Sequence, residues 1–296
     1  MAEGGTTGEH VNVFPAMFSP ADLRHLKELL ADFDLAATIL PDYSDTLDGP
    51  TWEHYQLIPN GGTPLADIRA AGRARASIEF AHTGHPGSTA AALLEKRFGV
   101  PRYRLGLPIG VSHSDDLFAV LEELSGKPAP ARHVEERGRL IDSFIDGHKY
   151  LYGKRAIVYG EEDLVVGIAS LLLEIGVKPV LCASGGESGR LRSALERIAP
   201  ELGREVDVRE GADFAQLDET VSQLRPDLMI GNSKGYRIAR DLGIPLLRIG
   251  FPIHDRVGGA RMLHIGYRGT QALFDRVTNA LIEAAQDESE VGYSYM

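Results

Sequence analysis

Gly99-Val-Pro-Arg-Tyr-Arg104-Leu-Gly106-Leu-Pro108-Ile109 and Gly243-Ile-Pro-Leu-Leu-Arg248-Ile-Gly250-Phe-Pro252-Ile253 are two copies of one pattern. In each copy a glycine stops a helix and a proline opens the next segment in extended geometry. An apolar run follows, and a Gly-x-Pro-Ile turn closes it. This is the helix, strand and loop of an α/β unit. Its recurrence predicts two Rossmann-like lobes, each a mainly parallel sheet flanked by helices.

Working outward from the first copy, apolar runs predict strands at 11–14, 36–40, 77–81 and 103–107. Amphipathic stretches between them predict helices. The clearest of these has Ser19 as cap, Pro20 at the first helical position and Leu23, Leu26, Leu29, Leu30 and Phe33 as its buried stripe. Others are expected at 64–74, 88–98 and 114–124, and a long helix at 132–151 links the halves. Around the second copy, strands are expected at 156–159, 179–183, 206–209, 228–230 and 246–249. Helices are expected there at 164–175, 189–198, 214–224 and 234–242, with a closing helix at 270–285. The domain reading is a small polar tail over 1–10, a first lobe over 11–131, the linking helix, a second lobe over 152–285 and an acidic tail over 286–296.

With 296 residues, 43% apolar and 25% charged, the chain has ordinary globular composition, and its length suits two cores. No apolar run approaches the ~20 residues that cross a bilayer, so no membrane partner is expected. The first ten residues lack the basic and apolar regions of a secretory signal, which points to the cytoplasm. Thirty-one basic against 42 acidic side chains give a net charge of −11, which repels nucleic acid. The single cysteine, Cys182, lies in an apolar run and can supply neither a disulfide nor a thiolate cage.

Ligands of open α/β sheets sit at the carboxyl ends of strands, so those loops hold the candidate sites. Gly160-Glu161-Glu162-Asp163 puts acids where a dinucleotide fold has glycines, and no Gly-x-Gly-x-x-Gly follows any strand. In Gly231-Asn232-Ser233-Lys234-Gly235 two glycines bracket a polar turn beside a lysine; it reads equally as an anion-binding loop or as a plain strand-to-helix turn. His82, His85 and His113 follow strands of the first lobe. They read either as neutral imidazoles facing one cleft, suited to zinc or iron, or as solvated and hydrogen-bonded side chains. His254, Asp255 and Arg256 follow the second Gly-x-Pro-Ile turn, where an Asp–Arg pair either fixes the loop or reads a partner surface.

Pro226-Asp-Leu-Met-Ile-Gly-Asn-Ser-Lys-Gly235, Gly250-Phe-Pro-Ile-His-Asp-Arg256 and Gly266-Tyr-Arg-Gly269 resemble nitrogenase component 1, and its β-type subunits in particular. The resemblance extends upstream through Glu136-Arg-Gly-Arg-Leu-Ile-Asp142, His148-Lys-Tyr-Leu-Tyr-Gly-Lys154 and Asn60-Gly-Gly-Thr63. It implies an α-type partner subunit, a heterotetramer, and an ATP-dependent iron protein that delivers electrons. It also implies an iron–sulfur cluster and a metal cofactor in the assembled complex, with none held by this chain alone. The family's amino-terminal, cluster-binding lobe has no counterpart in the motifs above. The expected function is therefore that of a truncated or split β-type subunit of a nitrogenase-like reductase, without a catalytic residue of its own. The alternative is a non-enzymatic scaffold subunit for iron–sulfur cofactor assembly.

Overall fold

A computed structural model of the chain describes residues 2–58 and 60–291. The first half runs β1 (Val11–Phe14), α1 (Pro20–Asp32), β2 (Ala37–Ile39), α2 (Leu65–Ala70), β3 (Ala76–Phe80), α3 (Ala90–Phe98), β4 (Arg102–Leu105) and α4 (Val111–Ser125), and α5 (Ala131–Leu151) leads out of it. The second half runs β5 (Arg155–Gly160), α6 (Glu162–Glu174), β6 (Lys178–Ser184), α7 (Leu191–Ile198), α8 (Pro200–Glu205), β7 (Asp207–Arg209), α9 (Phe214–Leu224), β8 (Leu228–Gly231), α10 (Tyr236–Leu242), β9 (Leu246–Arg248) and α11 (Gly266–Asp287). All strand pairs are parallel, in the orders β2-β1-β3-β4 and β7-β6-β5-β8-β9. The α/β reading and the two parallel sheets are therefore what the chain forms.

Local signals set the element ends. Ser19 accepts from the amide of Asp22, whose carboxylate accepts from the Ser19 amide, closing a capping box with Pro20 just inside it. The stripe Leu23, Leu26, Leu29, Leu30 and Phe33 is buried. Gly99 and Gly243 both end their helices in the left-handed conformation, at φ 72° and 68°, as the repeated motif requires.

Four features differ from the sequence expectations. The helix expected over 64–74 stops at Ala70 and tightens into a 3-10 turn, Ala71–Arg73. There Gly72 approaches the backbone of Glu3, whose carbonyl oxygen lies 2.6 Å from where a Cβ would stand. The tail expected over 1–10 is tied to that turn: Glu3 donates its amide to Arg69, and Gly8 donates its amide to Arg73. The short helix α8 carried too little periodicity to be read. Finally, the closing helix begins at Gly266 and lies chiefly on α5 and α4, so it returns toward the first half of the chain. Part of the acidic tail, 292–296, lies outside the described residues.

Two interactions draw α11 back. The buried carboxylate of Asp22 accepts from the amides of His264 (2.6 Å) and Ile265 (3.3 Å), pinning α1 to the entry of α11. Tyr267 then stacks on Phe118 of α4, with ring centres 4.7 Å apart. Further along, Gly147 of α5 faces Phe274 of α11 so closely that a Cβ would lie 2.4 Å from the ring. One apolar cluster consequently runs from Val11 of the first sheet to Ile249 beyond the second. Gly147→Leu forces this helix pair apart and is expected to lower unfolding free energy by about 1–3 kcal/mol; an unchanged midpoint in urea denaturation would show that the contact is not tight.

Candidate functional site

In an open parallel sheet a ligand meets the carboxyl ends of strands where the strand order reverses. In the second sheet that reversal falls between β5 and β8. A cleft of about 750 Å³ opens there. Its walls are the loops after β5, β6 and β8, together with Phe251, while Thr83 and Gly84 reach in from the loop after β3.

Helix α6 starts at this cleft, and acids occupy its first turn. Glu161 is the N-cap and accepts from the Leu164 amide at 3.0 Å. Burial, reinforced by the charge of Asp163, pushes its carboxyl up to about 7. Glu162 accepts from the Ser188 amide at 3.0 Å. Asp163 accepts from both the amide (2.9 Å) and the hydroxyl (3.0 Å) of Thr83, and burial raises its carboxyl too. The positive end of α6 is thus already met by the chain's own carboxylates, so a phosphate entering the cleft would face three acids. The usual dinucleotide position at the start of this helix is thus lined by acids.

The cleft rim is braced across the two halves. Arg190 donates to the carbonyl of Thr83 at 2.7 Å, and Arg197 of α7 donates to that of His82 at 2.8 Å. No local signal in the sequence announces either contact, because the partners are more than a hundred residues apart.

The candidate loop Gly231–Gly235 is braced internally. Asn232 accepts from the Lys234 amide and donates to the Phe251 carbonyl, at 3.0 and 3.2 Å. The Tyr159 hydroxyl donates to the Asn232 carbonyl (2.5 Å) and accepts from the Gly235 amide (3.1 Å). Both glycines are needed because a Cβ on either would stand within 2.5 Å of Tyr159. Ser233 donates its hydroxyl to Asp255, and the exposed Lys234 is left on the outside of the turn. The groups that would cradle an anion are therefore engaged within the chain.

In the segment His254, Asp255 and Arg256, the nearest partner of the Asp255 carboxylate is not its sequence neighbour, which donates to the Asp255 carbonyl at 2.6 Å. Arg248 of β9 grips both carboxylate oxygens at 2.7–2.9 Å and holds Asp255 well below the usual carboxylate range, while Arg256 stands 3.6 Å away. His254 contributes its amide to the Ser233 hydroxyl.

Of the three candidate histidines, two meet. The rings of His82 and His113 stand edge to face with centres 5.4 Å apart. His85 instead turns back on its own loop, where its Nδ1 accepts from the Gly87 amide. Cys182 is wholly buried in β6, and burial pushes its thiol up to about 12. A single protonated thiol does not fit an iron–sulfur cluster. Among the described residues no three His, Cys, Asp or Glu side chains converge to replace it. No helix among them is long and apolar enough to cross a membrane.

A model of the family described as nitrogenase component 1 type oxidoreductase matches residues 1–282. The chain is 35% identical over 283 residues to the nitrogenase molybdenum-iron protein beta chain of Methanothermobacter thermautotrophicus, covering 94% of this chain and 61% of that protein. It is likewise 35% identical over 288 residues to the nitrogenase vanadium-iron protein beta chain of Trichormus variabilis, covering 95% of this chain and 62% of that one. A solved chain of nitrogenase Cp1 superposes on all of this chain and 65% of its own length, with a TM-score of 0.93 and 32% identity. The chain thus spans about three fifths of the length of the curated relatives it matches.

The raised carboxyl of Glu161 gives the fold a pH signature. Below the ordinary value of 4.5 it is protonated in both states; between 4.5 and about 7 the unfolded carboxyl ionises first, so wild-type stability falls as pH rises through this window. Glu161→Gln keeps a capping oxygen without that penalty. It should match wild type near pH 4 and exceed it at pH 8 by about 1–2 kcal/mol, allowing for solvent screening. Parallel urea titrations of the two proteins at pH 4 and pH 8 are the check.

Proposed function

This chain belongs to the nitrogenase component 1 family, and from that premise we propose that it is a β-type subunit of a nitrogenase-like reductase complex. It supports subunit assembly and ATP-dependent electron transfer to a partner that carries the metal cofactor. The observation that carries this reading is the similarity to β chains along 94% of the chain. The partners that follow are an α-type subunit and an ATP-hydrolysing iron protein, in a cytoplasmic setting.

The chain's own residues suit a structural share of that work. Its donor set does not fit a cluster, so the redox groups are held by thiolates on other polypeptide. Its switch-point cleft opposes phosphate, which agrees with ATP being bound elsewhere in the complex. For a contact surface, Leu47, Trp52, Tyr55, Leu57 and Ile58 are exposed along the connection between β2 and α2, and Leu65 is exposed at the start of α2. A soluble monomer seldom concentrates apolar side chains in this way.

Co-expression with an α-type chain and assay with an iron protein test the reading. The expected outcome is a stable complex containing iron and acid-labile sulfide that accepts electrons only with ATP, while this chain purified alone carries neither. Stoichiometric cluster and reductase turnover in the isolated chain would overturn it. A transferable cluster without ATP-dependent electron uptake would favour the scaffold role instead.

A further inference from the structure

The connection between β2 and α2 closes on itself. At Gly49 the carbonyl of Asp45 stands where a Cβ would be, and on Gly61 a Cβ would lie 3.5 Å from that of Asp45 and 3.3 Å from Thr46. Gly61 has φ 117°, a value that favours glycine. The two ends of the 45–61 loop are thereby brought together, as in a compact Ω-type surface loop. Within it lies a hollow of about 660 Å³, and the residues that line it all belong to the loop itself. The space is of ligand size.

The charges divide between the root of the loop and this hollow. No lysine or arginine occurs between Lys27 and Arg69, whereas the connection carries Asp42, Asp45, Asp48 and Glu53. Two of these acids tie the root to α1: Asp42 pairs with Lys27 at 2.7 Å and Asp48 with Arg24 at 2.6 Å. Arg24 also donates to the Ser44 carbonyl at 2.8 Å. The other two acids line the hollow. Asp45 is half exposed and stands 4.0 Å from Lys27, and Glu53 has no ion-pair partner among the described residues. Beside them is Trp52, the one tryptophan of the chain, 49% exposed.

We propose that this hollow receives an arginine side chain presented by a partner protein, with the guanidinium held by the Asp45 and Glu53 carboxylates and the Trp52 indole. A guanidinium is the side-chain cation that both forks to carboxylates and stacks on an aromatic face, whereas an ammonium meets them as a point charge. The bearer is a macromolecule because Leu47, Tyr55, Leu57 and Ile58 are 66–85% exposed on the same connection, and a free small cation would leave them in water. Tryptophan, tyrosine and arginine are the side chains that most often anchor protein interfaces. This rests on the reading of the chain as a subunit and adds what the partner must carry: an arginine set beside an apolar surface.

Because Trp52 is the sole indole, its emission in the full chain reports the hollow directly. Titration with N-acetylarginine amide should change that emission saturably, and the neutral isostere N-acetylcitrulline amide should not. Joint substitution of Asp45→Asn and Glu53→Gln should abolish the response while leaving the urea midpoint in place. In the complex co-expressed with an α-type chain, Trp52→Ala and Glu53→Lys should each raise the dissociation constant by about 30-fold or more, the loss expected for an interface anchor. No arginine response, an equal response to the citrulline compound, or a stable complex indifferent to both substitutions would each overturn the proposal. An arginine response in a chain that no α-type partner binds would count against the subunit reading and not against the hollow.

Discussion

Helix α6 is buried at every residue from Glu162 to Leu172, and the rest of the molecule is arranged around that fact. A helix that is apolar on all sides cannot lie on a surface, so it needs neighbours all round. The second sheet covers one side, and the first half of the chain supplies another: a Cβ on Gly167 would meet Leu107 and Ile109 at 3.4–3.5 Å. The two sheets therefore share a continuous apolar core instead of closing two separate ones.

Burying α6 also fixes where its amino end points. The dipole of that end must be answered, and the chain answers it with Glu161, Glu162 and Asp163 rather than leaving amides open to a ligand. Asp163 in turn holds Thr83, so the same acids that close the cleft to phosphate stitch the loop after β3 to the second half. One set of side chains thus serves both the seam and the electrostatics of the cleft.

The repeated motif shows how one local plan is put to two uses. Arg104 and Arg248 occupy equivalent places, yet Arg104 donates to the carbonyls of Ala81 and Gly84 while Arg248 grips Asp255. In the first copy the arginine shapes the loop that carries His82 and Thr83. In the second it fixes the loop behind Gly231–Gly235. The strands are alike because backbone geometry demands glycine and proline at set intervals; the loops differ because what they pack against differs.

What the amino-acid order settled alone was local. The repeat gave two parallel sheets, and Ser19, Pro20, Gly99 and Gly243 fixed helix ends, because caps and left-handed turns depend on residues within a few positions. The acids of 161–163 already argued against a dinucleotide, since only their place after a strand was needed. Tertiary structure alone decided that His82 meets His113 but not His85, that the Asp255 carboxylate is gripped by Arg248 more closely than by Arg256, that Arg190 clasps Thr83, and that α11 folds back onto α5. Each of these depends on which surfaces a buried helix brings together across a hundred residues or more, or on a loop's exact path, and spacing along the chain carries no record of either.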